Sequence, residues 1–270
     1  MKILITAGGT IEKIDDVRAI SNNSTGRLGS LIAETFLKSE TLSIEKIFYI
    51  CGRNAVAPSS NKIDIIRIDG VNELTAQIES VLLNQQIDVV IHSMAVSDYA
   101  VSSLTTKSNV ANTITSCLTQ EDSKKYSALE LADKIVINAF GGTSIIKSNN
   151  KISSDIDDLI IVMNKTPKVI STIKKFQPET LLVGFKLLSN VSLDTLIDTG
   201  YSLLQKNNCD LVLANDLTQI TDDKHVGYLI SSDKTFKRLE TKTQIAAAIS
   251  TQVADLLKRK EHTKERKLCE

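Results

Sequence analysis

The sequence lacks the features that mark three broad classes of protein. Its 32 Lys and Arg residues are balanced by 32 Asp and Glu residues, so it has no excess positive charge for binding nucleic acid without sequence preference. It has no apolar run of membrane-spanning length. Its first residues already resemble a β-strand rather than a signal peptide. We therefore expect a cytoplasmic protein that binds neither nucleic acid nor a membrane.

Cysteine and histidine are too few and too scattered to indicate a metal centre. The four cysteines form no CxxC pair, and the three histidines are equally dispersed. We interpret the cysteines as reduced thiols rather than disulfides or zinc ligands, and we predict no metal site built from protein side chains. The residues concerned are Cys51, Cys117, Cys209, Cys269, His92, His225 and His262.

Short apolar segments alternate with helical patterns along most of the 270 residues. Near-continuous apolar runs are typical of parallel strands that are covered on both faces. The alternation predicts an α/β fold: a Rossmann-like, doubly wound, mostly parallel sheet with helices on both faces. The predicted strands are 2–6, 45–50, 63–68, 87–93, 181–185 and 210–215, and the predicted helices are 29–38, 71–83, 166–176, 192–205 and 243–258.

Other segments depart from this alternation. Residues 100–150 are rich in Ser, Thr, Asn and Lys, and we expect an irregular excursion there, either an inserted lobe or a dimerisation arm. A further strand is predicted at 158–163, and 226–240 has the pattern of an antiparallel hairpin. Residues 258–270 form a charged tail, interpreted as a solvated helix end. With these additions, residues 1–270 are expected to form a single α/β domain.

Two glycine-rich turns flank the interval between the first strand and the first helix. The first is AGGT at residues 7–10, and the second is STGRLG at residues 24–29. Free N–H groups at a helix N-terminus, with glycines that allow close approach, suit a phosphate. The alternative is an ordinary helix capped by Ser24 or Thr25.

Three enzyme classes with glycine-rich or related motifs fit these turns poorly. A dinucleotide-binding GxGxxG would follow the first strand directly, whereas about fifteen residues intervene here. The sequence GGTI resembles the segment that carries the nucleophilic threonine of asparaginases. No later Gly-Thr-Asp-Thr segment supplies the partner residues, so Thr10 is interpreted as a turn residue. A short-chain NAD(P)-dependent reductase would need a Tyr with a Lys four residues later, and neither Tyr99 nor Tyr126 has one. A non-catalytic nucleotide-binding regulator on the same scaffold remains an alternative.

Polar residues end two further predicted strands. Asp98 follows the fourth strand, where a carboxylate could hold a magnesium ion, a ribose hydroxyl or a substrate amine, or could simply cap the next turn. Asn215 ends a later strand and could bind a phosphate or a base edge. His92 is interpreted as a buried imidazole rather than a catalytic one.

Seven motifs together resemble the phosphopantothenoylcysteine synthetase (phosphopantothenate–cysteine ligase) family. They occur in the family's order, from residue 3 to about residue 249, and are ITAGGT, DDVRAISNNSTGRLG, AVSDY, NKISSDIDDLIIVMNKTPKVI, VGFKLL, LVLANDL and DKHVGYLI. The chain resembles the stand-alone bacterial form of this family, because no decarboxylase half precedes Met1 and no flavin-linked motif is visible.

This resemblance implies a two-step ligation in coenzyme A biosynthesis. The carboxylate of (R)-4′-phosphopantothenate attacks the α-phosphate of CTP, which releases pyrophosphate, and the amine of L-cysteine then displaces CMP from the acyl-cytidylate. The family further implies Mg²⁺ with the nucleotide and a homodimer. Lys186 stands where relatives that prefer ATP have a lysine, so ATP remains an alternative to CTP.

The resemblance also implies three catalytic residues. Asn22 would bind the acyl intermediate and assist attack by cysteine. Arg18 would reach the phosphate of phosphopantothenate, either in its own subunit or across the dimer interface, since the neighbouring subunit contributes there in the family. Lys151, on a segment that is a mobile flap in the family, would stabilise charge on the α-phosphate. From the residues alone, Arg18 could equally form an ion pair with Asp15 or Asp16.

The binding residues implied by the resemblance fall into two sets. Met94 stands where the family commonly has a small alanine, so a contact there would be made by backbone. The predicted nucleotide-binding set is Gly8, Gly9, Ser24, Gly26, Gly29, Asp98, Pro167, Lys168, Phe185 and Asn215. The predicted substrate-binding set is Arg18, Asn22, Met94, Ala95 and Asp98.

Overall fold

The computed structural model describes residues 1–119, 125–141, 151–221 and 224–268. These residues divide into two compact units. The first, here called the sheet unit, comprises Met1–Thr10, Asn22–Val96 and the chain from Lys168 onward. The second, here called the insert unit, comprises Ile11–Ser21 and Ser97–Pro167. The expectation of a single domain with an excursion at 100–150 stays a prediction.

An eight-stranded sheet forms the centre of the sheet unit. Its order is β12-β11-β10-β9-β6-β1-β4-β5, and all neighbouring pairs from β10 to β5 are parallel. The last two strands form the predicted antiparallel hairpin. The strands are β1 Lys2–Ala7, β4 Lys46–Gly52, β5 Ile63–Ile68, β6 Val89–His92, β9 Leu181–Leu188, β10 Leu211–Asp216, β11 Gly227–Ser231 and β12 Phe236–Leu239.

Helices cover both faces of this sheet, as predicted. Side chains that alternate along β1 point into different cores, since Ile3 and Ile5 belong to one cluster and Leu4 to the other. The first cluster contains α1 and α7, and the second contains α2, α5 and α6. The helices are α1 Arg27–Leu37, α2 Val71–Asn84, α5 Ile170–Phe176, α6 Leu193–Asn207 and α7 Lys242–Leu268.

One predicted helix begins later than expected. The pattern indicated a helix over 166–176, but α5 begins at Ile170. Pro167 disfavours helical backbone at the residue before it. Thr166 instead donates its N–H to the Asp98 carbonyl (2.9 Å) and its hydroxyl to the Ser97 carbonyl (2.6 Å).

The insert unit contains more regular structure than its sequence indicated. Its elements are the antiparallel pair β2 Ile11–Lys13 and β3 Ala19–Ser21, the antiparallel pair β7 Tyr99–Thr106 and β8 Leu159–Lys165, and the helices α3 Lys107–Thr119 and α4 Ala128–Gly141. The predicted strand at 158–163 therefore pairs in a separate sheet. Both helices bury little, with only Cys117 buried on α3 and Ala139 on α4 among the described residues. The many Ser, Thr, Asn and Lys residues of this region had instead indicated irregular structure.

The charged tail continues α7, which ends at Leu268. Within the described residues, none of the helices has the length and apolar character needed to cross a bilayer.

Candidate active site

Backbone loops at the carboxyl ends of β1 and β6 bond directly to each other. The Ala95 N–H donates to the Gly8 carbonyl (2.8 Å), and the Thr10 N–H donates to the Ala95 carbonyl (3.1 Å). Gly9 and Ala95 form a parallel bridge that extends the pairing beyond the strands. Ligands of open parallel sheets bind at this edge, so the predicted glycine turn lies where the fold class would place a ligand.

Asn22 is held over this junction. Its Nδ2 donates to the Ala95 carbonyl (3.1 Å), and its own N–H donates to the Thr10 carbonyl (3.3 Å). The side chain is half-buried. The structure therefore brings together Gly8, Gly9, Asn22 and Ala95, and both backbone polar groups of Ala95 are used within the protein. These described polar contacts of Ala95 hold Asn22 and the first turn in place, and its contact with substrate stays a prediction.

Helix α1 begins beside these turns without a side-chain cap. Its N-cap is Gly26, in the left-handed conformation at φ 74°, so the alternative of a Ser24 or Thr25 cap is wrong. The Ser30 N–H donates to the Gly26 carbonyl (3.0 Å), which starts the helical pattern. Backbone N–H groups of the first turn have no intrahelical acceptor, and this helix end provides the donors and the partial positive charge that suit a phosphate.

The glycines in these turns are also required by packing. A Cβ on Gly26 would lie 2.9 Å from the Ala55 Cβ, and one on Gly8, which has φ 82°, would lie 2.6 Å from the same atom. A Cβ on Gly29 would lie 2.5 Å from the Ala7 Cβ. Gly29 therefore allows α1 to pack against β1, and its missing side chain does not by itself indicate a phosphate.

Residues 52–56, at the end of β4 and just beyond it, contact the two glycine turns and were not predicted as part of the site. The Val56 N–H donates to the Thr25 carbonyl (2.9 Å). The Arg67 guanidinium donates to the carbonyls of Gly52 (3.0 Å), Arg53 (3.2 Å) and Ala55 (2.6 Å). The Tyr49 hydroxyl donates to the Val56 carbonyl (3.0 Å). Gly52, two residues beyond the predicted strand 45–50, was the one sequence signal available, since nothing in the sequence ties Arg67 to this loop.

His92 is buried at the end of β6, as predicted. Its Nδ1 lies 2.9 Å from the Thr6 Oγ1. Burial away from water lowers the pKa of His92 to about 4. A neutral imidazole at neutral pH follows, which fits a structural role at the strand end.

Four further predicted residues lie in the sheet unit. The Met94 side chain is buried in the core that contains α2, so a ligand could meet only its backbone. Phe185 is half-buried on the face that α1 covers. Asn215 is buried and donates Nδ2 to the Val226 carbonyl (3.2 Å). Lys168 is exposed immediately before α5. Their nucleotide contacts stay predictions.

The insert unit holds the remaining predicted residues. Arg18 forms the ion pair with Asp15 that its sequence alternative proposed, with Nη2 2.7 Å and Nε 3.0 Å from Oδ2. In the described part of the chain, its side-chain contacts use Nε and Nη2, which leaves Nη1 directed to no described partner. Lys151, Asp98 and Pro167 are exposed.

The described residues contain a cavity outside the predicted site but no side-chain cluster suited to a metal. Among the described residues, no group of three or more His, Cys, Asp or Glu side chains could hold a metal ion. A groove of about 620 Å³ lies between β12 and α7, and its lining includes Lys237, Arg238 and Gln244. It shares no residue with the predicted site.

A comparison with family models matches most of the chain. Residues 1–139 and 143–257 match the model described as "DNA/pantothenate metabolism flavoprotein C-terminal domain". The match includes the glycine turns, Asn22, Arg18 and Lys151. It therefore covers both compact units.

Relatives and solved structures point to the same family. The chain is 27% identical over 258 residues to "Coenzyme A biosynthesis bifunctional protein CoaBC" of Thermococcus kodakarensis, covering 95% of this chain and 51% of that protein. It spans about half the length of the curated relatives it matches first. The crystal structure of the DNA/pantothenate metabolism flavoprotein from Streptococcus pneumoniae is 33% identical, with a TM-score of 0.75, and covers 95% of this chain and 99% of that one.

The fold is shared with a ligand complex as well. A Cab2 H337A mutant in complex with phosphopantothenate-cysteine has a TM-score of 0.61 at 17% identity, covering 95% of this chain and 88% of that one.

Proposed function

Because the chain belongs to the DNA/pantothenate metabolism flavoprotein C-terminal domain family, we propose that it ligates (R)-4′-phosphopantothenate to L-cysteine in coenzyme A biosynthesis. A nucleoside triphosphate, CTP in the first instance, activates the carboxylate. The observation that supports this proposal most directly is the convergence of the glycine turns, the uncapped start of α1 and the Asn22 amide at one edge of the sheet.

The first step forms an acyl-nucleotide. A carboxylate oxygen of phosphopantothenate attacks the α-phosphorus of the nucleotide, and the bond from that phosphorus to the bridging oxygen breaks to release pyrophosphate. Amide donors at Gly26 and the first turn of α1 would bind the triphosphate, because they provide hydrogen bonds where negative charge is greatest. Lys151 would neutralise charge that develops on the α-phosphate.

The second step forms the amide bond. The L-cysteine amine attacks the acyl carbon, the nucleoside monophosphate leaves, and the amine loses a proton. Asn22 would hold the intermediate, because its amide is oriented by the Ala95 carbonyl and adds no charge beside an anionic leaving group. Arg18 would contact the phosphate of phosphopantothenate through Nη1, since a guanidinium matches phosphate oxygens by its planar donors.

Magnesium would enter with the triphosphate as part of the substrate. The candidate phosphate site supplies amide donors from Gly26 and the turns around it, and donors of this type bind oxygen anions rather than a cation. The described residues offer no carboxylate cluster for a metal. We therefore assign Mg²⁺ to the nucleotide phosphates and to water.

A homodimer is part of the proposal. Leu129, Val136 and Ile137 on α4 have exposed fractions of 73%, 53% and 66%, and Ile114 and Leu118 on α3 are also exposed. Residues 129 and 136 are seven apart and so share one helix face. An apolar face of this kind is expected to be covered by a partner, and light scattering at micromolar concentration should give twice the mass of the 29.6 kDa chain.

A pyrophosphate-release assay tests the ligase proposal. Release should require CTP or ATP together with phosphopantothenate, and cysteine should convert a single burst into continuous turnover. Comparison of the two nucleotides at equal concentration gives the preference. A protein that binds a nucleotide but releases no pyrophosphate when phosphopantothenate is present would instead be the non-catalytic regulator.

A further inference from the structure

The Asp15 carboxylate, in the insert unit, contacts both Arg18 and Ile152, the residue that follows Lys151. Arg18 and Lys151 are the two cationic residues of the proposed function. Asp15, in the loop between β2 and β3, has a side chain with no exposed surface. Its Oδ1 accepts the N–H groups of Val17 (2.9 Å) and Arg18 (2.6 Å). Its Oδ2 accepts Arg18 Nε (3.0 Å), Arg18 Nη2 (2.7 Å) and the Ile152 N–H (3.1 Å).

A second bond closes the cluster of Asp15, Arg18 and Ile152. Arg18 Nη2 also donates to the Ile152 carbonyl (3.1 Å), so both backbone polar groups of Ile152 are bound. Ile152 is itself buried, while Lys151 directly before it is exposed. The backbone that carries Lys151 is therefore fixed on one side by the same carboxylate that holds Arg18.

The chemistry of the cluster requires an ionised carboxylate. The Arg18 guanidinium, together with the N–H groups of Ile152, Val17 and Arg18, holds the pKa of the Asp15 carboxyl well below its usual range. Burying a charge is costly unless donors compensate it, and five donor contacts do so here. Asp16, the next residue, is exposed and carries the same charge without this environment.

We propose that Asp15 is a positioning residue for the ligation, one that sets the orientation of the Arg18 guanidinium and the backbone position of Lys151 together. The inference rests on the proposed function, because it gives these two cations their substrates. Asp15 touches no reacting atom. Because Asp15 holds both segments at once, Arg18 can direct Nη1 to the phosphate of phosphopantothenate while Lys151 contacts the α-phosphate.

The Asp15→Asn substitution is a sharp perturbation of this arrangement. The side chain keeps its size, but an amide has one acceptor oxygen and one NH₂ donor. If the amide NH₂ takes the position of Oδ2, it faces three N–H donors: Arg18 Nε, Arg18 Nη2 and the Ile152 backbone. If it takes the position of Oδ1, it faces the two backbone N–H groups of Val17 and Arg18. Either way, at least two donors lose their acceptor. Asp16→Asn makes the same change of charge one residue away and is the matched control.

Steady-state kinetics should separate positioning from a loss of folded protein. For Asp15→Asn we expect the KM for phosphopantothenate to rise at least about tenfold and kcat to fall by about 10- to 100-fold, since displacement of a binding group by about 1 Å has effects of this size. Asp16→Asn should stay within about twofold of wild type. A merely unfolded fraction would lower kcat and leave KM unchanged.

Two further measurements depend on the contacts themselves. In a double-mutant cycle, Asp15→Asn should add little to the KM effect of Arg18→Ala, because both act through one guanidinium. The Ile152 amide should exchange its hydrogen faster in Asp15→Asn than in wild type or Asp16→Asn. If Asp15→Asn does not fold, Arg18→Lys should raise the KM while the Ile152 amide stays protected.

The outcomes distinguish this inference from the proposed function. A wild-type protein without phosphopantothenate-dependent pyrophosphate release would refute the ligase function, and the role of Asp15 with it. A wild-type protein that turns over while Asp15→Asn behaves like Asp16→Asn, or shows additive effects with Arg18→Ala, would refute the role of Asp15 alone.

Discussion

Acidification is expected to destabilise the end of β6 through His92. Its pKa is about 4 in the folded protein and near its ordinary value of 6.5 when unfolded. Between these values the unfolded state binds more protons, so stability rises with pH. The contribution of the neutral imidazole is therefore fully present above pH 6.5 and is lost as the pH falls towards 4.

The size of this effect follows from the two pKa values. A difference of one pH unit between folded and unfolded pKa corresponds to about 1.4 kcal/mol. At pH 5 the expected loss is about 2 kcal/mol, and below pH 4 it reaches about 3 kcal/mol. Such a loss is a large fraction of the stability of a typical domain.

Urea unfolding at pH 7.5 and pH 5.0 measures this loss. His92→Gln removes the titrating group, and its lost packing gives an offset that does not change with pH. The free energy of unfolding of wild type should therefore fall by about 2 kcal/mol relative to this variant between the two pH values. His262→Gln, which makes the same substitution at an exposed position on α7, is the control for replacing a histidine by glutamine outside the core. Parallel curves for wild type and His92→Gln would contradict the assigned burial effect.

The remaining predictions concern the candidate site. Asn22→Asp should still form the acyl-nucleotide but slow its consumption by cysteine by at least about tenfold, and an unchanged overall rate would rule out the role of Asn22. Lys151→Gln should reduce pyrophosphate release below detection, and a burst of wild-type size would show that this lysine is dispensable. Gly26→Val should weaken nucleotide binding, measured by calorimetry, and lower the free energy of unfolding by about 2 kcal/mol or more. The reason is that a β-branched residue at φ 74° is strained and its Cβ contacts Ala55 too closely. Unaltered nucleotide affinity would count against this site.

The central sheet could be predicted because burial on both faces leaves a simple pattern in the sequence. Segments such as IDIIRI, at Ile63–Ile68, have the predicted bounds. The insert unit could not be predicted in the same way. Residues 100–150 were expected to be irregular because they are rich in Ser, Thr, Asn and Lys, although α4 within them carries an apolar face that it exposes at Leu129 and Val136.

The candidate site was predictable where local motifs define it, and not where distant residues complete it. The glycine turns and Asn22 lie within one short segment, which carries a recognisable motif. Arg67 contributes through three carbonyls of a loop more than ten residues before it. For Asp15, the sequence offered an ion pair with Arg18, but the contact to Ile152 depends on tertiary structure.

The glycines at this site have two physical explanations, and the structure separates them by position. Gly29 is needed wherever α1 packs this closely on β1, whether or not a ligand binds, because its Cβ would overlap Ala7. Gly26 has both explanations. Its φ of 74° and a Cβ that would lie 2.9 Å from the Ala55 Cβ favour glycine on packing grounds alone. Its position at the N-cap also leaves the first-turn amides of α1 without a side-chain acceptor, and these amides are the donors that the proposed phosphate site needs.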